Sequence, residues 1–255
     1  MTDNSNKGIL IFGGARGIGG ETAKYFSEHG WNVIAADILD KELAELAQSA
    51  KNIKTVHCDV ASVADIQNAF TFAEAELPQL NGVFNNVGIA RYGTVDQLSL
   101  EDWEYTLRVN LTAQYISSSL AVPIFKRNGS GSIVNTASIL AHMNQKTTAA
   151  YSASKAGVLA LTRAIAVDHA LDGIRCNSIS PGTINTPLVR IVAEDILGRK
   201  LEEAALEWAA FHPLNRLGTP REVAALVYFL INDESGFITG TDIKIDGGLS
   251  AEVFR

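Results

Sequence analysis

The chain has 255 residues, of which 47% are hydrophobic and 19% charged, and its formal net charge is −7. That length and apolar share suit a single large α/β domain with a sizeable core, and they argue against disorder. The acidic balance, with no long basic run, counts against nucleic acid or an anionic membrane surface as a partner.

The opening stretch MTDNSNKG is polar and lacks the apolar core of a signal peptide. The longest charge-free runs, 109–125 and 128–145, are interrupted by Asn, Gln, Ser, Thr and Gly, so neither reads as a membrane span. Cys58 and Cys176 are far apart with no CxxC or Cys/His grouping, and they read as reduced core thiols. The expectation is a soluble, cytoplasmic protein.

From the N-terminus, KGILIF (7–12) reads as a strand and 17–29 as a helix. NVIAAD (32–37) is a second strand, followed by a helix carrying Leu43, Leu46 and Ala47 at helical spacing. Strands at 53–58 and 82–86 flank a helix with Ile66, Ala69, Phe70 and Ala73. Strands at 131–138 and 174–181 follow helices at about 101–126 and 151–171, and a helix near 220–231 precedes a last strand at 242–246. Strand–helix alternation of this kind means βαβ units, hence a doubly wound parallel sheet with helices on both faces, of Rossmann type. The segment at about 188–213 fits no core element. It holds Arg190, Glu194, Asp195, Trp208 and His212, and reads as a mostly helical substrate lid following a strand's carboxyl end.

FGGARGIGG joins the first strand to the first helix, with Gly13, Gly17 and Gly19 spaced G-x-x-x-G-x-G. Glycines there allow a tight turn and let a pyrophosphate approach backbone N–H groups at a helix N-terminus. Asp37 ends the second strand, where a carboxylate accepts from both hydroxyls of an adenosine ribose and repels a 2′-phosphate. It favours NAD over NADP, while Arg16 pulls more weakly the other way. Tyr151 and Lys155, at i and i+4 in AYSASKAG, share a helix face among very small neighbours. Alone, the pair reads equally well as a surface Tyr/Lys contact.

Taken together these motifs resemble the classical short-chain dehydrogenase/reductase family along essentially the whole chain. The resemblance rests on GxxxGIG at 13–19, CDV at 58–60, NNVG at 85–88, Asn110, Ser138, YxxxK at 151–155, SPGTINT at 180–186 and ITGTDIKIDGG at 238–248. Two positions depart from the family pattern. Phe12 stands for the usual Thr before the first glycine, and Val87 for the commoner Ala.

The resemblance implies an NAD-dependent oxidoreductase in which Tyr151 exchanges a proton with the substrate oxygen and Lys155 lowers the phenol's pKa while holding the nicotinamide ribose. It implies that Ser138 hydrogen-bonds the reacting oxygen and Asn110 positions a proton-relaying water. Gly13, Arg16, Gly17, Ile18 and Gly19 would bind the dinucleotide together with Asp37, Asp59, Val60, Asn86 and Gly88, and Pro181, Gly182, Ile184 and Thr186 would line the nicotinamide. It implies, too, a homotetramer or at least a dimer built on helices 101–126 and 151–171, whose sequences are rich in Ala, Ser, Leu and Val.

His29, His57 and His169 read as strand-end or surface residues. His142 and Asn144, between Ser138 and Tyr151, and Arg91, at the mouth of the site with Tyr92, are the candidates for substrate contact. Arg91, with Arg190 from the lid, would suit a carboxylate. No Cys/His pairing or carboxylate cluster suggests a catalytic metal. The expected substrate is a small polar secondary alcohol or its ketone, a sugar-derived hydroxy acid or a cyclic hydroxy compound ahead of a carrier-bound acyl chain. The alternatives are an NADP-linked 3-oxoacyl reductase of fatty-acid synthesis, which Asp37 disfavours, and a non-catalytic dinucleotide sensor, which the retained Tyr151 and Lys155 disfavour.

Overall fold

The computed structural model describes residues 4–196 and 198–252; residue 197, inside the expected lid, lies outside them. Seven strands form one parallel sheet: β1 (Gly8–Phe12), β2 (Asn32–Asp37), β3 (Ile53–His57), β4 (Leu80–Asn85), β5 (Gly131–Thr136), β6 (Ile174–Pro181) and β7 (Asp242–Ile245). Their order is β3-β2-β1-β4-β5-β6-β7. Every residue of β1 is buried, as a strand covered on both faces requires.

Alternation along β1 divides the core into two layers. Leu10 and Phe12 face α3 (Val63–Glu76), α5 (Ala113–Asn128) and α6 (Ala149–His169). Ile9 and Ile11 face α1 (Gly17–Glu28), α2 (Asp40–Ser49) and α9 (Pro220–Ile231). Phe12 fills its layer against the Phe70 ring, 5.9 Å away, so packing takes the place of the hydroxyl that the family pattern has at this position.

The expected helix at 101–126 is a composite. α4 (Leu100–Leu107) runs into a π-helical turn (Arg108–Thr112) and then into α5. The π turn re-aims one side chain, that of Asn110, and such turns occur frequently at functional sites. The lid segment contains α7 (Pro187–Ile191), a second π-helical turn (Val192–Ile196) and α8 (Leu201–Ala210). α9 begins where expected, with a capping box formed by Thr219 and Glu222 and with Pro220 in its first turn. At its other end Arg175 of β6 donates to the carbonyls of Leu230, Ile231 and Asn232 at 2.8, 3.2 and 2.9 Å. A cation there satisfies the helix's last acceptors and locks α9 to the sheet.

The winding reverses between β1 and β4, so their carboxyl ends bound a crevice with no crossing chain over it. The glycine loop after β1 and residues 86–88 after β4 lie on its two sides. Thr136, Ser138 and the start of the loop after β6 continue the same edge.

Candidate active site

The first wall of the crevice is backbone. Gly13 and Gly14 both donate to Ala36 O, folding the loop back onto β2, and Gly13 and Gly17 have φ of +72° and +59°, which favours glycine. A Cβ on Gly19 would lie 1.9 Å from Gly13 O, and one on Gly13 would lie 3.0 Å from Val87 Cγ2. Asn86 Nδ2 also donates to Gly13 O, at 3.2 Å. Gly17 faces Thr186 across the crevice, where an added Cβ would sit 3.6 Å from Thr186 Cβ. No side chain caps the start of α1, whose first turn carries no acidic residue. Its free N–H groups, with Ile18 in that turn, therefore open onto the crevice.

Asp37 sits beside this loop with its carboxylate engaged by backbone: Oδ2 accepts from Ala15 N, and Oδ1 from Ile38 N and Leu39 N. Two carboxylate oxygens offer about four acceptor positions, so capacity remains for a further donor. Arg16 is exposed and makes no ion pair with a described residue. Asp59 is exposed and turns its own chain by accepting from Ala61 N, and Val60 is buried beneath it.

The second wall holds the residues expected to carry the chemistry. α6 places Tyr151 and Lys155 one turn apart, with Lys155 Nζ 5.7 Å from the centroid of the Tyr151 ring. Lys155 is 1% exposed, and among the described residues its ammonium donates to one acceptor, Thr136 O at the end of β5, at 2.7 Å. Gly88 makes room for it, since a Cβ there would lie 3.2 Å from Nζ. The hydroxyl of Ser138 accepts from Leu140 N and hydrogen-bonds Tyr151. Asn110 ties the wall together: its side chain accepts from Ile89 N and donates to Ile89 O and to Ser154 Oγ, at 2.9, 2.9 and 3.0 Å. Both N–H donors of that amide are thus spent on protein. A Cβ on Gly157 would meet Leu111 Cδ2 at 2.7 Å, which is why so small a residue stands where α6 crosses the π turn.

The electrostatics of the two groups are set first by burial. Burial pushes the Tyr151 phenol up, the Ser138 hydrogen bond pulls it partway back, and the Tyr92 phenol pushes it up again. Burial also draws Lys155 down to about 7. The reason is desolvation: among the described residues no carboxylate offsets either group, so each is biased toward its neutral form.

Three loops hold this wall. Gly93 N donates to Thr147 O at 2.9 Å and Gly93 bridges to Thr148, which brings Tyr92 to the mouth of the site above Tyr151. Thr147 has φ of +63°, a strained conformation for a β-branched residue. The loop after β6 is fixed by Gly182 N to Ile245 O and by Gly218 N to Thr183 O. Ile184, 5% exposed, bridges to Gly218, while Pro181 ends the strand.

The substrate candidates fare unevenly. His142 is turned away to β7, its Nε2 2.8 Å from Asp242 Oδ2 and 3.4 Å from Ser180 Oγ, and Asp242 also accepts from Ser178. Arg91 pairs with Asp102 at 3.3 Å on a half-exposed surface and lies over the Tyr105 ring. Neither is a free group over Tyr151. Asn144 and Arg190 remain exposed.

His212, placed in the lid segment by the sequence, has a structural role there. It is 2% exposed, and its Nδ1 contacts Trp208 O at 2.8 Å while Nε2 accepts from Thr183 N at 3.1 Å. A carbonyl only accepts and an amide N–H only donates, so the ring must be neutral with its proton on Nδ1. It pins the end of the lid to the loop after β6. Nothing in its sequence context marks that role, since its two partners are backbone atoms.

Lys155 leaves a pH signature in stability. An unfolded lysine titrates near 10.5 and the folded one at about 7, so between these values the unfolded chain binds the extra proton and stability rises with pH. Relative to Lys155→Met, the wild type gains stability from pH 7 to about 9, by at most about 1.4 kcal/mol per pH unit, and shows no such gain below pH 7. Denaturant midpoints of the two proteins across that range check this.

Comparison with known proteins agrees with the geometry. A family model described as enoyl-(acyl carrier protein) reductase matches residues 13–250. Cyclohexanol dehydrogenase of Acinetobacter sp. (strain SE19) is 36% identical over 253 residues, covering 97% of this chain and 96% of that protein. A 2,5-dichloro-2,5-cyclohexadiene-1,4-diol dehydrogenase of Sphingobium indicum is 32% identical over 253 residues, covering 98% of each. The solved structure of Thermoplasma acidophilum aldohexose dehydrogenase superposes with a TM-score of 0.91 at 36% identity, covering 99% of this chain and 97% of that one. With the family's motifs in order on the family's fold, this chain belongs to the classical short-chain dehydrogenases/reductases.

Proposed function

We propose that the protein is an NAD-linked dehydrogenase that interconverts a small, neutral, cyclic secondary alcohol and its ketone. The observation that carries this is the convergence of Ser138, Tyr151 and Lys155 on one face of the crevice whose other face is the glycine cradle. A cradle closed to any Cβ at Gly19, an uncapped helix start and a carboxylate with spare acceptor capacity fit a dinucleotide. Bound there, NAD supplies a nicotinamide that accepts hydride from the carbinol carbon or returns it.

The chain's own residues do the rest. Gly13, Gly17, Ile18 and Gly19 hold the pyrophosphate by backbone, Asp59, Val60, Asn86 and Gly88 border the adenosine, and Pro181, Gly182, Ile184 and Thr186 border the nicotinamide. Asp37 selects the unphosphorylated ribose. Ser138 Oγ orients the reacting oxygen, and Tyr151 Oη takes its proton in oxidation or gives one in reduction. Lys155 contributes a donor to the nicotinamide ribose and, in its protonated form below about pH 7, positive charge beside the phenol. Asn110 steadies the second wall through Ile89 and Ser154. Because burial holds the phenol up, oxidation gains as pH rises toward the Tyr151 range.

The neutral, cyclic preference has two supports. Arg91 already faces Asp102 at 3.3 Å, so a substrate carboxylate would compete with that carboxylate for it. Relatives named for cyclohexanol, a cyclohexadiene diol and an aldohexose act on ring compounds. A homotetramer belongs to the same proposal: Tyr115 on α5 and Val167 on α6 are 58% and 78% exposed, apolar surface that a second copy would cover.

Tyr151→Phe should fold and bind NADH yet lose about 10²–10⁴-fold in turnover; wild-type-like activity would remove the tyrosine from the mechanism. In Asp37→Ser the preference for NAD over NADP, read as a ratio of kcat/KM values, should narrow by about 1–3 kcal/mol. A loosened loop alone weakens both cofactors and leaves that ratio in place, and an unmodified protein that prefers NADPH refutes the assignment. A panel of cyclic alcohols, aldoses, hydroxy acids and acyl thioesters tests the substrate: cyclic neutral compounds should give the highest kcat/KM, and an acyl thioester or a carboxylate in first place overturns the reading.

A further inference from the structure

The oxygen that holds Lys155 is shared. Gln114, in the first turn of α5 and 3% exposed, donates Nε2 to Thr136 O at 3.2 Å and to Asn110 O at 2.9 Å. Both partners are carbonyls that only accept, so chemistry fixes which end of the amide faces them. The other end is left over: Gln114 Oε1 is buried with no hydrogen-bond partner among the described residues. Thr136 Oγ1 and Ser117 Oγ, nearby in β5 and α5, are in the same condition. An unpaired buried acceptor is unfavourable, and a methionine or leucine would occupy similar space without one. A side chain that breaks a local rule of packing beside a reacting group points to a role in the chemistry.

We propose that Gln114 is a positioning residue for Lys155, its amide fixing the Thr136 and Asn110 carbonyls at one point and, by sharing Thr136 O, limiting how strongly that oxygen holds the ammonium. The inference rests on the role given to Lys155 and Tyr151 above. A carbonyl that already accepts one N–H presents less negative potential to a second, so the shared oxygen stabilises the ammonium less and leaves less positive charge beside the phenol. The surroundings supply nothing to offset this. Around Lys155, β5 offers the neutral Thr136, the segment after β4 offers Gly88, and the π turn offers Asn110. The nearest ionisable groups are Tyr151 on the same helix and Tyr92 beyond it.

Gln114→Met removes the donor and keeps the volume, and Gln114→Leu does the same with a branched chain should the methionine variant fail to pack. In either, Thr136 O is released to Lys155 alone, the ammonium is better held, and its charge favours the Tyr151 phenolate. The limb of kcat/KM for alcohol oxidation set by Tyr151 should therefore move to lower pH by about half a unit or more, whatever happens to the unfolding temperature. A residue that only packs would change stability and scale activity at all pH values alike. A limb within about 0.2 units of wild type in whichever variant folds overturns the proposal. Failure of the underlying mechanism is separate: if Tyr151→Phe keeps its turnover, the limb does not belong to Tyr151 at all.

Discussion

The structure is organised around a buried lysine with no counter-ion. Lys155 is 1% exposed and leans on one backbone oxygen, at 2.7 Å. Removing an ammonium from water is unfavourable unless it is paired or hydrogen-bonded, and here a neutral carbonyl is all the protein provides. The surroundings are arranged so that this does not become a structural weakness. Gly88 yields space, Asn110 fixes the strand end behind it, and α6 packs on the π turn through the gap left by Gly157. A carboxylate in place of the carbonyl would hold the charge more securely and would also take it from the phenol.

Around that point rigidity comes mainly from neutral contacts. Asn110, His212 and Thr183, and the paired backbones of Gly93 with Thr147 and Gly182 with Ile245, are joined without exposed ion pairs. His142 with Asp242 is the exception at the site's edge, and its partners are partly buried. The ion pairs of the described residues, such as Lys41 with Glu45, lie largely at the solvated surface, where each is worth little. Polar groups satisfied inside the protein hold geometry regardless of salt, which suits a site whose parts come from many loops.

Much of this was legible in sequence because the signals are local. Strand and helix periods placed all seven strands within a few residues, and the glycine spacing, Asp37 and the Tyr/Lys pair marked both walls of the crevice. What escaped was whatever depends on a partner distant in the chain. His142 has the composition of a substrate contact, but Asp242, 100 residues away, claims it. Arg91 was equally persuasive until α4 brought Asp102 beside it. Gln114 lies in an apolar-looking helix and drew no notice, since its partners are backbone atoms that no residue pattern records. The π turn was invisible for the same reason: it alters which residues face inward without altering which residues are present.

The chain order of the parts has a consequence for how the protein is made. Synthesis proceeds from the N-terminus at about 5–20 residues per second, so the glycine cradle and Asp37 emerge early and can begin to organise as the β1–β2 unit forms. The opposite wall needs β5 and α6, the loop after β6 is fastened only when Ile245 arrives to receive Gly182 N, and His142 waits for Asp242. Parallel sheets built from such distant segments form late and slowly. The two walls of the crevice are thus completed at different times on the ribosome. A chain that stops short of β7 would hold an early-formed nucleotide cradle beside an unfastened second wall, so the last strand acts as the seal on a nearly finished molecule.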